Sequence, residues 1–286
     1  MNAEALVSKV TDLRPPAPSV VRLLGLLNRP DADSDAVIRV VEMDGVLSAK
    51  VLSLCNSAWF GCASPVGSIS QALLRLGFAQ LHRIVMAVGF GSMMNTPLTG
   101  YAIEDHELWQ HSLLTALLAR KIIESAEGFP GDASIVFTAA LVHDIGKLVL
   151  NTTLDPCKQA AVQALIATGE HRLSAERNVI GCDHAEVGAA LLTRWNLPEN
   201  IVEAVAHHHA PPLQPAPALS AIVHLANGIA HEAGSAPGWD SFAIPMVSEV
   251  PEALGLAPRD LDVLVMTAFD LLQSEPELAS PHEPTP

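Results

Sequence analysis

Positive charge is what this chain has least of. Its 286 residues carry 16 Lys and Arg against 31 Asp and Glu, a formal net charge of −15. Neutralising a phosphate backbone takes clustered cations, so the balance argues against nucleic acid as a main partner; a small anion in a local positive pocket is still allowed. Aromatic residues are scarce at 4%. Leu, Val and Ala dominate instead, which favours packed helices over sheets. Cysteine is sparse as well: Cys55, Cys62, Cys157 and Cys182 form no Cys-x-x-Cys unit. That argues against a structural zinc knuckle and fits reduced thiols. No uninterrupted apolar run approaches the length of a bilayer span, and the stretch Met1 to Lys9 has no signal-peptide layout. The expectation is a cytoplasmic protein without membrane contact. A phosphate-binding Gly-x-x-x-x-Gly-Lys loop and a Gly-x-Ser-x-Gly elbow are also missing.

What is present is apolar and periodic. Hydrophobic residues make up 49% and charged residues 16%, enough for a full globular core in one large or two moderate domains. The fold class read from this pattern is all-α. Helical spacing is expected from Ser19 to Leu27, where Ser19 caps and Pro30 terminates, and again from a Ser34 cap through Met43. A third helix spans Leu47 to Ala58, with Val51, Leu52 and Leu54 inward, and Cys62-Ala63-Ser64-Pro65 is a loop. Ser68-Ile69-Ser70-Gln71 matches a capping box, and helix then runs to Met94 with a break near Gly77. Asn95 to Gly100 is the best boundary, giving an N-terminal subdomain over residues 1–97 and a second unit over residues 98–286. Beyond it, helices are expected over Glu104–Ala126, Ala133–Asn151 and Asp155–Thr168, with a turn at Gly128–Gly131. Further helices are expected over Asp183–Trp195, from Pro198 to the histidine run, over Ala218–Ala233 and over Arg259–Gln273. Pro211, Pro212, Pro215 and Pro217 form a stiff connection, and a Pro/Glu-rich tail ends the chain.

Set on these helices is a series of metal-ligand types. His143-Asp144 lies inside Leu141-Val142-His143-Asp144-Ile145-Gly146-Lys147. His111 precedes it, and His184 and His207-His208-His209 follow. Imidazole and carboxylate together suit Fe, Mn, Zn or Ni, in one or two ions. Alone, each has a plainer reading. Glu107 stands four residues before His111 and shares its face, where it can serve as a ligand or simply orient the imidazole. Adjacent His143 and Asp144 diverge around a helix axis and meet only at an ion near the face between them. Lys147, one turn on, can meet an anionic oxygen, neutralise Asp144 or be solvated. His184 opens a helix after Asp183, a place where capping histidines are common. Three consecutive histidines cannot all face one centre, and His208 and His209 are the better candidates.

Together the motifs resemble a family. His111-Ser112, His143 to Lys147, Asp183 to Gly188, Trp195-Asn196-Leu197-Pro198 and His208-His209 are similar to the HD superfamily. Leu13 to Pro18, Leu52 to Phe60 and Ser68 to Leu76 resemble its HDOD branch. The resemblance covers about Leu13 to Ala230. It implies an HD-type helical bundle with an N-terminal helical subdomain packed on it, and a role in bacterial signal transduction or regulation. It places His111, His143, Asp144 and His184 on the superfamily's metal-ligand positions. His208 and His209 fall on the paired histidines of its multi-metal members, and Glu107 on an extra carboxylate. Asn227 stands where the final acidic ligand is expected, and Ala210-Pro211-Pro212-Leu213 replaces an Asp-Gly-x-Gly-Tyr-Pro element. Two functions follow, beside a weaker third in which a metal ion only stiffens the bundle or senses redox state. One is a regulatory module that binds a signalling protein partner or a small anionic ligand. The other is a metal-dependent phosphohydrolase, in which Asp144 and Lys147 would be catalytic.

Overall fold

A computed structural model describes residues 2–10, 13–27, 33–56, 65–126, 129, 132–214, 218–238 and 246–274. Pro30, the Cys62–Ser64 stretch, most of Gly128–Gly131, Pro215, Pro217, the 57–60 end of the Leu52–Phe60 motif and the tail beyond 274 lie outside them. Among the described residues every regular element is helical, apart from an isolated bridge between Leu98 and Ile103.

The residues before 98 contain α1 (Ala3–Lys9), α2 (Pro18–Leu27), α3 (Ser34–Glu42), α4 (Gly45–Cys55), α5 (Ile69–Leu76) and α6 (Phe78–Met94). Side chains fix several of these starts, though not always the expected ones. Ser34 is not the α3 cap: Asp33 accepts the Asp35 N–H at 2.9 Å. Ser19 lies within the first turn of α2, where its hydroxyl donates to Asp44 Oδ2 at 2.7 Å and ties α2 to the head of α4. Asp44 itself caps α4 by accepting the Leu47 N–H. Ser68 does cap α5, but the Gln71 amide reaches back to the Gly67 N–H, one residue short of a reciprocal box. Gly77, at φ 78°, separates α5 from α6, a backbone setting that glycine adopts without a Cβ penalty.

The residues after 97 contain α7 (Glu107–Ser125), α8 (Ala133–Val142), α9 (Gly146–Thr153), α10 (Pro156–Ala167), α11 (Arg172–Ile180), α12 (His184–Arg194), α13 (Glu199–His207), α14 (Leu219–Glu232), α15 (Val250–Ala253) and α16 (Pro258–Ser274). α8 is the central rod, buried from Ser134 to Val142 and packed by α7, α13, α14 and α6. The stretch Ala133–Thr153 is long and apolar enough to cross a membrane, yet 94% of its apolar window is interior to the bundle. Packing crosses residue 97. α6 rests on α7 and α8, with the His82 ring edge-on to Phe137, and α1 packs on α9 and α12. Arg194 Nη1 donates to the Val7 carbonyl at 2.6 Å and pins α1 there.

Candidate metal centre

The His-Asp pair sits at a break in a helix. A continuous helix over Ala133–Asn151 was the expectation; instead α8 stops at Val142 and α9 starts at Gly146. Between them the backbone tightens to i,i+3 hydrogen bonds, with the Ile145 N–H on Val142 O and the Lys147 N–H on Asp144 O. A Cβ at residue 146 would stand 1.9 Å from the His184 carbonyl oxygen, so only glycine lets α9 lie against the head of α12. The break turns two consecutive side chains toward one point.

Asp144 is the hub, and its two oxygens face different ways. Oδ1 lies 3.4 Å from His184 Nε2 and 3.8 Å from His208 Nε2. Oδ2 lies 3.4 Å from His143 Nε2, 3.9 Å from His111 Nε2 and 2.6 Å from Lys147 Nζ. His209 Nε2 is 2.8 Å from His184 Nε2. His111 comes from mid-α7, His184 from the first residue of α12, and His208 and His209 from just beyond α13, while His207 points to solvent.

For His111, His143, His184 and His208 the other ring nitrogen is tied down. His111 Nδ1 contacts the Ser235 carbonyl at 2.6 Å, His143 the Ala140 carbonyl at 2.7 Å and His208 the Val205 carbonyl at 2.7 Å. A carbonyl oxygen only accepts, so these Nδ1 atoms carry the hydrogen and present an Nε2 lone pair inward when the ring is neutral. Burial and neighbouring rings keep His111, His208 and His209 well below the ordinary imidazole range. His184 differs. Burial pushes it down, but Glu176, accepting from Nδ1 at 2.8 Å, outweighs this and raises it. Burial would raise Asp144; Lys147 and His143 outweigh burial and hold it well below the carboxylate range.

These residues fit a divalent ion. His111 Nε2, His143 Nε2, His208 Nε2 and Asp144 Oδ1 are buried with no hydrogen-bond partner, and such atoms are costly unless something satisfies them. The ligand atoms of Asp144, His184, His208 and His209 all lie within 4.8 Å of one another, as do those of His111, His143 and Asp144. A nitrogen-rich set with one carboxylate matches Zn, Fe, Mn or Ni better than Mg or Ca.

Glu107 joins neither group. Its carboxylate turns back to accept the Glu104 N–H at 2.8 Å, closing the turn before α7. Asn227 is buried on α14 with its Oδ1 unpartnered. Three contributors went unread in the sequence. Glu176 supports His184 from α11. The half-buried His231, one turn after Asn227, puts its ring 4.8 Å from that of His111. His224 Nδ1 meets the His208 carbonyl at 2.8 Å while its Nε2 accepts the Val247 N–H.

The HDOD domain profile matches residues 13–211. An uncharacterized protein of Treponema pallidum (strain Nichols) is 27% identical over 219 residues, which is 74% of this chain and 40% of that protein. This chain thus spans about two-fifths of that relative's length. A Geobacter sulfurreducens HDOD domain protein of unknown function superposes with a TM-score of 0.72 at 27% identity, covering 97% of this chain and 94% of that one. A candidate phosphohydrolase of Shewanella amazonensis SB2B gives 0.70 at 25% identity, over 97% of both chains. With the profile spanning most of the sequence and the same helical architecture recurring in these structures, this chain belongs to the HDOD family.

Proposed function

We propose that the chain is a regulatory module of bacterial signalling, acting inside the cell by binding rather than by turnover. In this reading it holds a divalent ion inside its HD-type bundle and engages a signalling protein partner or a small anionic ligand. The observation that carries this is enclosure. His111, His143, Asp144, Lys147, His184 and His208 are each at most 1% exposed, and only His209 is half-buried. Catalytic metal sites keep an open position for water and substrate, whereas structural sites are closed by protein ligands. Lys147, which would have to meet an anionic substrate, is instead committed to Asp144.

A second reading is metal-dependent hydrolysis of a phosphate ester. The full inward-facing His and Asp set favours it, as does the likeness to the Shewanella protein. A divalent ion held there supplies charge that polarises a phosphoryl oxygen and acidifies water. His209, the half-buried member of the set, would then be the one nearest solvent, and Asp144 would orient the imidazoles around the ion.

One experiment separates the two. Elemental analysis of the purified chain should find Fe, Mn, Zn or Ni, and the His143→Ala, Asp144→Ala double variant should lose it. Equal metal in both proteins removes this site. Phosphodiester turnover by the parent that is absent in the double variant replaces the binding reading with the hydrolytic one.

A further inference from the structure

We infer that the centre is lopsided: one divalent ion belongs on the His184–His208–His209 side of Asp144, while the Lys147 ammonium takes the place of a second cation on the His111–His143 side. This rests on the metal reading above and goes further, to the number and place of the ions.

The division runs through Asp144. Oδ1, which faces His184 and His208, is buried and has no hydrogen-bond partner. Oδ2, which faces His111 and His143, is held by Lys147 Nζ at 2.6 Å. A second ion on that side would share one carboxylate oxygen with a fixed ammonium in a dry interior, where like charges repel strongly. The ligand count is unequal too. Counting His and Asp ligands, the His184 side offers four with Asp144, enough to close a tetrahedral shell, whereas the His111 side offers three including the shared carboxylate.

The outer shell leans the same way. His184 Nδ1 donates to Glu176, whose Oε2 also accepts the His184 backbone N–H at 2.9 Å. Glu176 Oε1 accepts the Tyr101 hydroxyl hydrogen at 2.9 Å, and Arg172 Nη1 stands 3.7 Å away. The carboxylate is therefore fixed from three directions. A carboxylate behind a ligating imidazole raises its basicity, and losing such a partner typically costs about 10–100-fold in metal affinity. The imidazoles on the opposite side lean only on the neutral carbonyls of Ser235 and Ala140. Glu176 is thus a positioning residue for the occupied half.

The full chain, stripped of metal and titrated with Co²⁺, tests this by equilibrium dialysis and visible absorption. The parent should bind one tight ion with a tetrahedral spectrum. His209→Ala should lose it and His143→Ala should keep it; His111→Gln repeats the second test if His143→Ala does not fold. Glu176→Gln keeps an acceptor for Nδ1–H but removes the charge. It should weaken binding about 10–100-fold and shift the Co²⁺ bands, a change that altered stability alone does not produce. Lys147→Met should admit a second ion. Two equally tight ions in the parent, or equal losses in His143→Ala and His209→Ala, overturn the lopsided centre and leave the metal reading standing. No binding by the parent overturns both.

Discussion

Adding one methyl group at Gly146 should open the centre from behind. The new Cβ would lie 1.9 Å from the His184 carbonyl oxygen and 2.6 Å from the Gly188 nitrogen. Both are backbone atoms, so no side-chain rotation relieves the clash. Ordinary contact starts near 3.4 Å, and α9 and α12 must therefore separate by about 1.5 Å. Overpacking costs roughly 1–3 kcal/mol, and a clash of this depth against backbone belongs at the top, about 3 kcal/mol. For a chain of this length the unfolding entropy is roughly 0.6 kcal/mol per kelvin, so Tm should fall by about 5 °C. The same separation draws His184 Nε2 away from Asp144 Oδ1, now 3.4 Å apart, and bound metal should fall with it. Gly188→Ala is the control. Its Cβ would meet Val205 Cγ1 at 3.1 Å and the Gly146 nitrogen at 3.2 Å, a milder overlap expected to cost about 1 kcal/mol. Calorimetry paired with elemental analysis reads both effects. A Gly146→Ala protein within about 0.5 kcal/mol of the parent, or a Gly188→Ala protein damaged equally, would falsify the packing account.

Two further changes test the surroundings. Asp183 caps α12 by accepting the Glu186 N–H, while Glu186 accepts the Asp183 N–H in return. Asp183→Ala should cost about 1–2 kcal/mol in denaturant unfolding, and a neutral result would deny the cap its role. Burial, with Arg120 and Arg83 nearby, pushes the His82 imidazole down to about 3. Above the ordinary value of 6.5 the ring is neutral both folded and unfolded, so it contributes no pH dependence there. Below 6.5 only the unfolded chain takes up this proton, and stability should drop by about 1.4 kcal/mol per pH unit until about pH 3. His82→Leu should flatten the stability profile between pH 6 and 4 by up to about one proton; an unchanged slope refutes a neutral buried His82.

The helical class and most element positions were legible because apolar spacing carries them. Helices over Ala218–Ala233 and Arg259–Gln273 were expected, and α14 and α16 fall within a residue of those bounds. α11 was not, and the reason is physical. It buries Arg172 and Glu176 beside Ala175 and Ile180, so its inward face is half charged and leaves little apolar period to read. Glu176 was lost with it. The need for glycine at 146 was equally hidden, because it arises from α12, far along the chain. The histidines themselves were readable as metal-ligand types. What no spacing shows is that carbonyls at Ala140, Val205 and Ser235 aim them, since backbone acceptors are the same at every position. Glu107 shows the converse: a helical i,i+4 relation permits a shared site, but a nearby free N–H at Glu104 claims the carboxylate first.

Removing the ion should loosen the whole bundle, not only the centre. Three imidazole nitrogens and a carboxylate oxygen lie unpartnered where α7, α8, α12 and α13 meet. Each such atom costs roughly 1–3 kcal/mol, and apolar residues of similar size would serve packing better. A cation on the His184 side, which takes up His208 Nε2 and Asp144 Oδ1, binds the folded state alone, because its ligands are scattered from Asp144 to His209. At a free concentration about 1,000 times Kd such binding stabilises by about 4 kcal/mol. With an unfolding entropy of roughly 0.6 kcal/mol per kelvin, chelation should lower Tm by about 7 °C, and re-addition should restore it. The His143→Ala, Asp144→Ala variant should ignore the chelator. If parent and variant respond alike, the ion is not held here, and the buried polar centre needs another source of compensation.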